Sequence, residues 1–394
     1  MLVPCHSGAL GVGYHQTPVL GARHDHQCIF HGRTGCRAAD QFGAGWGAVP
    51  FVFDRVYPGI GAGLVGVEKF KKIRMETARN LIGRELNRFE EYFKEAVSSS
   101  VPLLDRIMRY ITAHKGKQMR PMFVLLSASL GGVINEQSYR AALFAEMPHT
   151  SSLVHDDVVD ESVERRGSSS VNALWKNRTA VFAGDNLFTK SILLLLSNGD
   201  HSILKIYSDA IGKIIEGELL QMERSHKPNI NEEVYYEIIK GKTATLLAAC
   251  CAAGAASTFG EKGSVEKMYA FGEKLGIAFQ LKDDLLDYGS ADIGKPTGND
   301  IKEKKITLPL IYTLNNGDTV LRRKLLSIIK HHHKDREKVR LVVEAVVASG
   351  GIQYAEEKMV FYREEALTLL HTFPSSDTRN ALEELVYFTT DRTY

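Results

Sequence analysis

From Met75 onward, apolar residues recur at steps of three and four. In ETARNLIGRELNRFEEYFKEAV the recurring residues are Leu81, Ile82, Leu86, Phe89, Tyr92, Phe93 and Val97, the period of an amphipathic helix. The same period returns in EQSYRAALFAEM, in NEEVYYEIIKGKTATLLAACCAAG, in VEKMYAFGEKLGIAFQLKDDLLDYG and in the C-terminal EEALTLL and ALEELVYF. Asn231, after Pro228 and before Glu232 and Glu233, has the position of an N-cap with acids in the first turn. No stretch alternates apolar and polar residues between hairpin turns. The pattern predicts one all-α domain over residues 75–394, with roughly a dozen helices.

Residues 1–74 follow no such pattern. The first 66 residues hold three acids, Asp25, Asp40 and Asp54, and 13 of the 34 glycines. A secretory signal would start with a basic and then a continuous apolar region, and a transit peptide would be amphipathic and rich in Ser and Arg; neither fits. Histidines 6, 15, 24, 26 and 31 are too scattered for a metal site. The segment reads as an unstructured upstream extension without a folded role, with Met75 as the effective start.

The charges nearly cancel, 49 basic against 47 acidic for a net +2. No global field therefore argues for nucleic acid or an anionic membrane surface as partner, and any ion chemistry is local. Cys5, Cys28, Cys36, Cys250 and Cys251 form neither a CxxC pattern nor an even disulfide framework, which fits a reducing, cytoplasmic compartment. No uninterrupted apolar run reaches the ~18 residues of a membrane span. The longest, Ala244–Phe259, is rich in small residues and reads as a buried helix.

Two aspartate triplets stand out. Asp156, Asp157 and Asp160 share the spacing i, i+1, i+4 with Asp283, Asp284 and Asp287. At about 100° per residue the first and third of each triplet lie about 40° apart, so all three can converge on one patch. A single such triplet is ordinarily a solvated helix face. Two copies, each set among apolar residues, fit that reading poorly, because the carboxylates would repel by several kcal/mol unless cations sat among them. All-oxygen ligation points to Mg²⁺, with Mn²⁺ as a substitute, sharing coordination with phosphate oxygens.

Cationic donors lie close by. Arg165 and Arg166 follow the first triplet, either as phosphate ligands or as surface partners of Glu161 and Glu164. HKGKQMRP sets Lys117 and Arg120 before Pro121, read as a loop entering a helix N-terminus. GKPTGNDIKEKK carries Lys295, Asp300, Lys304 and Lys305, and Lys242 and Thr243 lie inside an apolar helix.

In combination and order, GKQMRP, HDDVVD, RRG, KT, FQLKDDLLD and GKPTGND resemble the trans-isoprenyl diphosphate synthases, of the long-chain octaprenyl or solanesyl type. The resemblance covers residues 75–394. It implies a homodimeric helical bundle of the isoprenoid synthase type around a central apolar cavity, joining isopentenyl diphosphate to an allylic diphosphate. It also implies that both triplets bind Mg²⁺ and that Arg165, Lys242, Lys295 and Lys305 contact the allylic diphosphate. Lys117, Arg120, His149 and Arg166 would hold isopentenyl diphosphate, with Thr243 and Gln280 beside the reacting carbons. Ser151 and Ser152, small residues one turn before Asp156, imply an open tunnel and a C30 to C50 product, C40 favoured, for a quinone side chain. Such a lipid product gives a reason for peripheral membrane association.

The chain departs from the pattern in two places. Gln118 stands where the family commonly has arginine, and Pro148 is expected to kink the helix before His149. His155 reads as a packed histidine. The alternatives are a terpene cyclase, which leaves Lys117, Arg120 and Arg166 without work, and a non-catalytic subunit of a heteromeric synthase, which would have lost a triplet. A di-iron carboxylate bundle is a third alternative, which would require paired Glu-x-x-His ligands on facing helices.

Overall fold

The computed structural model describes residues 76–114, 116–225, 231–289 and 298–392. Lys295 and the extension over residues 1–74 lie outside the described residues.

Stripes of apolar residues decide which helix faces are buried. In α1 (Glu76–Val97), Ala78, Ile82, Leu86 and Phe89 are buried at the predicted spacing. Then follow α2 (Pro102–Ala113), α3 (Met119–Gly131) and α4 (Glu136–Val159). Asn135 and Ser138 close a reciprocal capping box at the start of α4, which satisfies two otherwise orphaned backbone donors. Helix α4 continues through Pro148 to Val159.

A two-residue ladder, absent from the sequence expectation, follows. Strands β1 (Glu164–Arg165) and β2 (Ser168–Ser169) pair antiparallel. Arg166 and Gly167 between them have φ of 55° and 75°, the left-handed pair of a type I′ hairpin. Its length hid it, since two-residue strands show no alternation.

The remaining elements are α5 (Val171–Trp175), α6 (Asn177–Ser197), α7 (His201–Ser225), α8 (Glu232–Ile239), a π-turn over Lys240–Ala244, α9 (Thr245–Ala256), α10 (Lys262–Leu286), α11 (Asn299–Lys302), α12 (Leu308–Asn316), α13 (Thr319–His331), α14 (Arg336–Ala348), α15 (Gly351–Leu370) and α16 (Asp377–Thr390). Asn231 caps α8 as expected, its side chain accepting from the Val234 amide. Helix α10 packs along α9 and α15, α3 along α9, and α4 along α6. The α9–α10 approach is close because Gly272 lacks a side chain; a Cβ there would stand 2.7 Å from Ala248 Cα.

Among the described residues, two helical segments are long and apolar enough to cross a membrane by length and composition. Glu232–Ala256 is 67% buried inside the fold, whereas Asn177–Ser197, which is α6, is 33% buried.

Candidate active site

Asp156, Asp157 and Asp160 stand at the C-terminal end of α4, with Asp160 as its C-cap. Burial and then the neighbouring Asp160 hold the Asp156 carboxyl above its usual range. Asp157 turns the other way and is 3% exposed. Arg165 forks onto its Oδ1 through Nε at 2.8 Å and Nη2 at 2.5 Å. The three carboxylates of the triplet therefore have different surroundings. Helical rotation sends the middle residue inward, where the short hairpin presents an arginine to neutralise it.

The second triplet is likewise distributed. Asp284 is buried and accepts from Tyr235 Oη at 2.6 Å and from Gln280 Nε2 at 2.9 Å, while burial pushes its carboxyl up to about 7. Asp287 accepts the amides of Asn299 and Asp300 at 2.9 and 3.0 Å, which fixes the start of α11. Asp283 accepts from Arg392 Nη2 at 2.5 Å, and that guanidinium also lies 4.2 Å from the centroid of the Phe279 ring. Asp300 joins the cluster, its carboxyl pushed up to about 6 by burial and then by Asp287. Lys305 Nζ is 2.5 Å from Glu303 and 3.9 Å from Asp300. Among the described residues, no three His, Cys, Asp or Glu side chains close into a metal cluster.

The π-turn joins the two triplets. Inserting an extra residue into a helical turn re-aims side chains, a common device at functional sites. Lys242 Nζ reaches Glu218 at 2.7 Å and Gln221 at 3.3 Å, and both Lys242 and Glu218 bear electrostatically on Asp156. The next residue, Thr243, donates from Oγ1 to Gln280 Oε1 at 2.7 Å, and Gln280 in turn donates to Asp284. Lys242, Thr243 and Gln280, singled out from sequence, are thus brought between the two acidic clusters.

A third group surrounds His149. Burial, then Arg120, Arg166 and Arg165, push its imidazole down to about 3, so it is neutral near pH 7. Arg120 enters in the first turn of α3, which starts at Met119, two residues earlier than Pro121 suggested. Arg166 donates to the His114 carbonyl at 3.2 Å and stacks over Gly116, where a Cβ would meet its guanidinium at 2.9 Å. The glycine before Lys117 therefore makes room for the arginine. Lys117 Nζ lies 5.9 Å from the centroid of the Phe388 ring on α16. Gln118 adopts a left-handed conformation and donates to Glu90 at 3.3 Å.

A cavity of about 90 Å³ opens beside this group, lined by Phe89, Phe93, Ile111, Leu153, Val154 and the charged Glu146, Asp157, Arg165 and Arg166. Ser151 and Ser152 do not line it. Ser151 is buried and donates to the Gly184 carbonyl of α6 at 2.8 Å, while Ser152 is exposed and bonds back to His149. His155 packs over Gly184 and lies 3.3 Å from Asp185, in keeping with a packed histidine.

Sequence reasoning named Asp300 without giving it a role, and missed Glu146, Tyr235 and Arg392. Glu146 is 8% exposed, with one carboxylate oxygen lacking a hydrogen bond and lying 3.9 Å from Arg120. Burial pushes its carboxyl up against the opposing pull of Arg120 and Arg166. An acid inside the apolar run AALFAEM, one turn before His149, was the available signal. Arg392 carried none.

Comparison with known proteins identifies the family. The family model for polyprenyl synthetase matches residues 101–346. The chain is 36% identical over 318 residues to an all-trans-nonaprenyl-diphosphate synthase (geranyl-diphosphate specific) of Rhodobacter capsulatus, covering 79% of this chain and 96% of that protein. It is 32% identical over 325 residues to the octaprenyl diphosphate synthase of Escherichia coli, covering 81% and 99%. The crystal structure of a polyprenyl synthase from Caulobacter crescentus, complexed with calcium and isoprenyl diphosphate, superposes with a TM-score of 0.73 at 32% identity, covering 82% of this chain and 98% of that one. A chain matched along nearly the full length of such relatives belongs to the polyprenyl synthetase family, and it is a prenyltransferase, a trans-isoprenyl diphosphate synthase of the long-chain type.

Proposed function

We propose that this enzyme extends an allylic diphosphate by successive 1′–4 condensations with isopentenyl diphosphate, giving an all-trans product with C40 favoured, suited to a quinone side chain. The observation that carries the reading is the π-turn, which sets Lys242 beside the Asp156 cluster and Thr243 on the Gln280–Asp284 chain. Two anionic clusters are thereby linked across one cation.

The donor chemistry fits a hard divalent ion. Every candidate ligand is a carboxylate oxygen, and burial with mutual repulsion raises the carboxyls of Asp156, Asp284 and Asp300, a cost that a bound cation relieves. Asp156, Asp160, Asp283, Asp287 and Asp300 would hold Mg²⁺, with Mn²⁺ as substitute. Asp157 and Asp284, committed to Arg165 and to Tyr235 and Gln280, would position their neighbours. An ion held by these carboxylates would supply positive charge to the diphosphate leaving group.

Lys242 and Lys305 place further positive charge where that anion develops, a role that the resemblance also gives to Lys295. Lys117, Arg120 and Arg166, with neutral His149, form a separate cradle for isopentenyl diphosphate. Thr243 and Gln280 present oxygens towards the reacting carbons between the two diphosphates. Buried Phe89 and Val154 beside the site exclude water from the allylic cation. The small side chains of Ser151 and Ser152, one turn before Asp156, are the proposed reason for a long product, although neither lines the cavity beside His149. The chain acts as a homodimer in the cytoplasm, covering the exposed face of α6, and an intact second triplet argues against a non-catalytic subunit.

The test is full-length protein with Mg²⁺, farnesyl diphosphate and labelled isopentenyl diphosphate, with products resolved by length. A ladder ending near C40 and abolished by chelator or by Asp156→Ala is expected. No incorporation by the folded protein with farnesyl or geranylgeranyl diphosphate would overturn the reading.

A further inference from the structure

The overall charge of +2 conceals one strongly polarised face. Residues 319–334, TVLRRKLLSIIKHHHK, hold five cations (Arg322, Arg323, Lys324, Lys330 and Lys334) and three histidines, with no acid in the run. Leu325, Ile328 and Ile329 of α13 turn inward and are buried. Arg323, Lys324, Lys330 and His331 are exposed and fall within an arc of about 120° at 100° per residue, so they form one solvent stripe.

The acids flanking the run are already engaged. Asp318 caps α13 by accepting the Leu321 amide at 2.7 Å, and Asp335 caps α14 by accepting the Glu337 and Lys338 amides at 3.1 and 3.3 Å. Among the described residues, Arg323, Lys324, Lys330 and Lys334 have no ion-pair partner. The stripe also reaches the site: His333 Nδ1 lies 2.6 Å from the Lys302 carbonyl of α11. That helix starts on Asp287, and Lys304 and Lys305 follow it.

We infer that this face of α13 docks the enzyme on the anionic headgroups of a lipid bilayer. Cations near such a surface attract it additively and within a Debye length, which suits a compact, uncompensated stripe. Three observations favour a bilayer over nucleic acid. Residues 319–340 contain no Phe, Tyr or Trp on which a base could stack. Val320, on the same stripe, is 75% exposed, an apolar contact for the headgroup region. The product proposed above is a long hydrocarbon that water does not accommodate, and the stripe adjoins the segment bearing Lys305. Only this last argument rests on the proposed reaction.

Co-sedimentation of the full chain with phosphatidylglycerol/phosphatidylcholine vesicles, and with phosphatidylcholine alone, tests the inference. Binding to the anionic vesicles only is expected, lost at about 0.5 M salt as screening shortens the reach of surface charges. The variant Arg323→Gln/Lys324→Gln/Lys330→Gln/Lys334→Gln should bind at least ~100-fold more weakly, since each cation contributes about five-fold. Lys324→Arg/Lys330→Arg should bind as the parent does. Equal binding by the Gln variant, no binding to anionic vesicles, or tighter binding to mixed-sequence RNA would each overturn it. Prenyl transfer with soluble substrates is measured on the same preparations. Vesicle binding without turnover would sink the proposed reaction and leave the surface standing; turnover without vesicle binding would do the reverse.

Discussion

Asp284 shows how much one carboxylate owes to its surroundings. Tyr235 and Gln280 donate to it, and burial still wins, pushing the group from 3.8 up to about 7. A raised carboxyl pKa means that the fold holds the proton more tightly than the unfolded chain does. Its contribution to stability is therefore present below about pH 4 and is lost as the pH rises through about 7. In chelator, the melting temperature of wild type relative to Asp284→Asn should fall between pH 5 and pH 8, and Mg²⁺ at pH 8 should restore part of that loss. A difference that stays constant with pH would contradict the burial argument. Spacing alone made the three aspartates of a triplet equivalent. At Asp157 and Asp284 the structure distinguishes them, because residues one apart on a helix point about 100° apart and only one direction faces the interior.

At the scale of elements, the helices were legible because their cores follow the 3.6-residue period, as with Ile82, Leu86 and Phe89 in α1. The hairpin at Arg166–Gly167 and the π-turn at Lys240–Ala244 were not, since each departs from regular structure for a few residues within a run whose composition continues unchanged. The π-turn is held from outside by α10, where Gly276 faces Ala244. Gly276→Ala would place a methyl carbon 2.4 Å from a backbone atom, and overpacking of this kind costs roughly 1–3 kcal/mol. Thermal denaturation should show a loss of several degrees. Prenyl transfer should fall beyond what the stability loss explains, because relief of the clash displaces Lys242 and Thr243. A variant with parental stability and turnover would show that the turn is not seated by this contact.

For the whole molecule, α6 is the element whose sequence and burial disagree. Phe182, Leu193 and Leu196 are 61%, 52% and 49% exposed and fall within about 60° on one face. On α7, Ile215, Leu219 and Met222 are 55%, 59% and 51% exposed and form a second such stripe, and α6 and α7 pack together. Contiguous apolar faces of this kind mark interfaces, and a second copy of the chain is the proposed cover. Light scattering should give twice the 43.8 kDa chain mass for wild type and a single chain mass for Phe182→Glu/Leu193→Glu. A wild-type monomer would rule out the homodimer.

The linear sequence determined the helical class, the two triplets and the basic motifs around them, because periodicity and local chemical type are properties of neighbouring residues. It also carried the acid-free run of α13. Tertiary structure alone decided that Asp157 pairs with Arg165 while Asp156 stays with Asp160. It alone brought Asp300 to the second triplet, set Glu146 against Arg120 and laid Arg392 on Asp283, 109 residues away. Such pairings depend on which helix faces meet across the core. That is settled by packing of the whole chain and by the cost of leaving a buried charge unpaired, neither of which local sequence records.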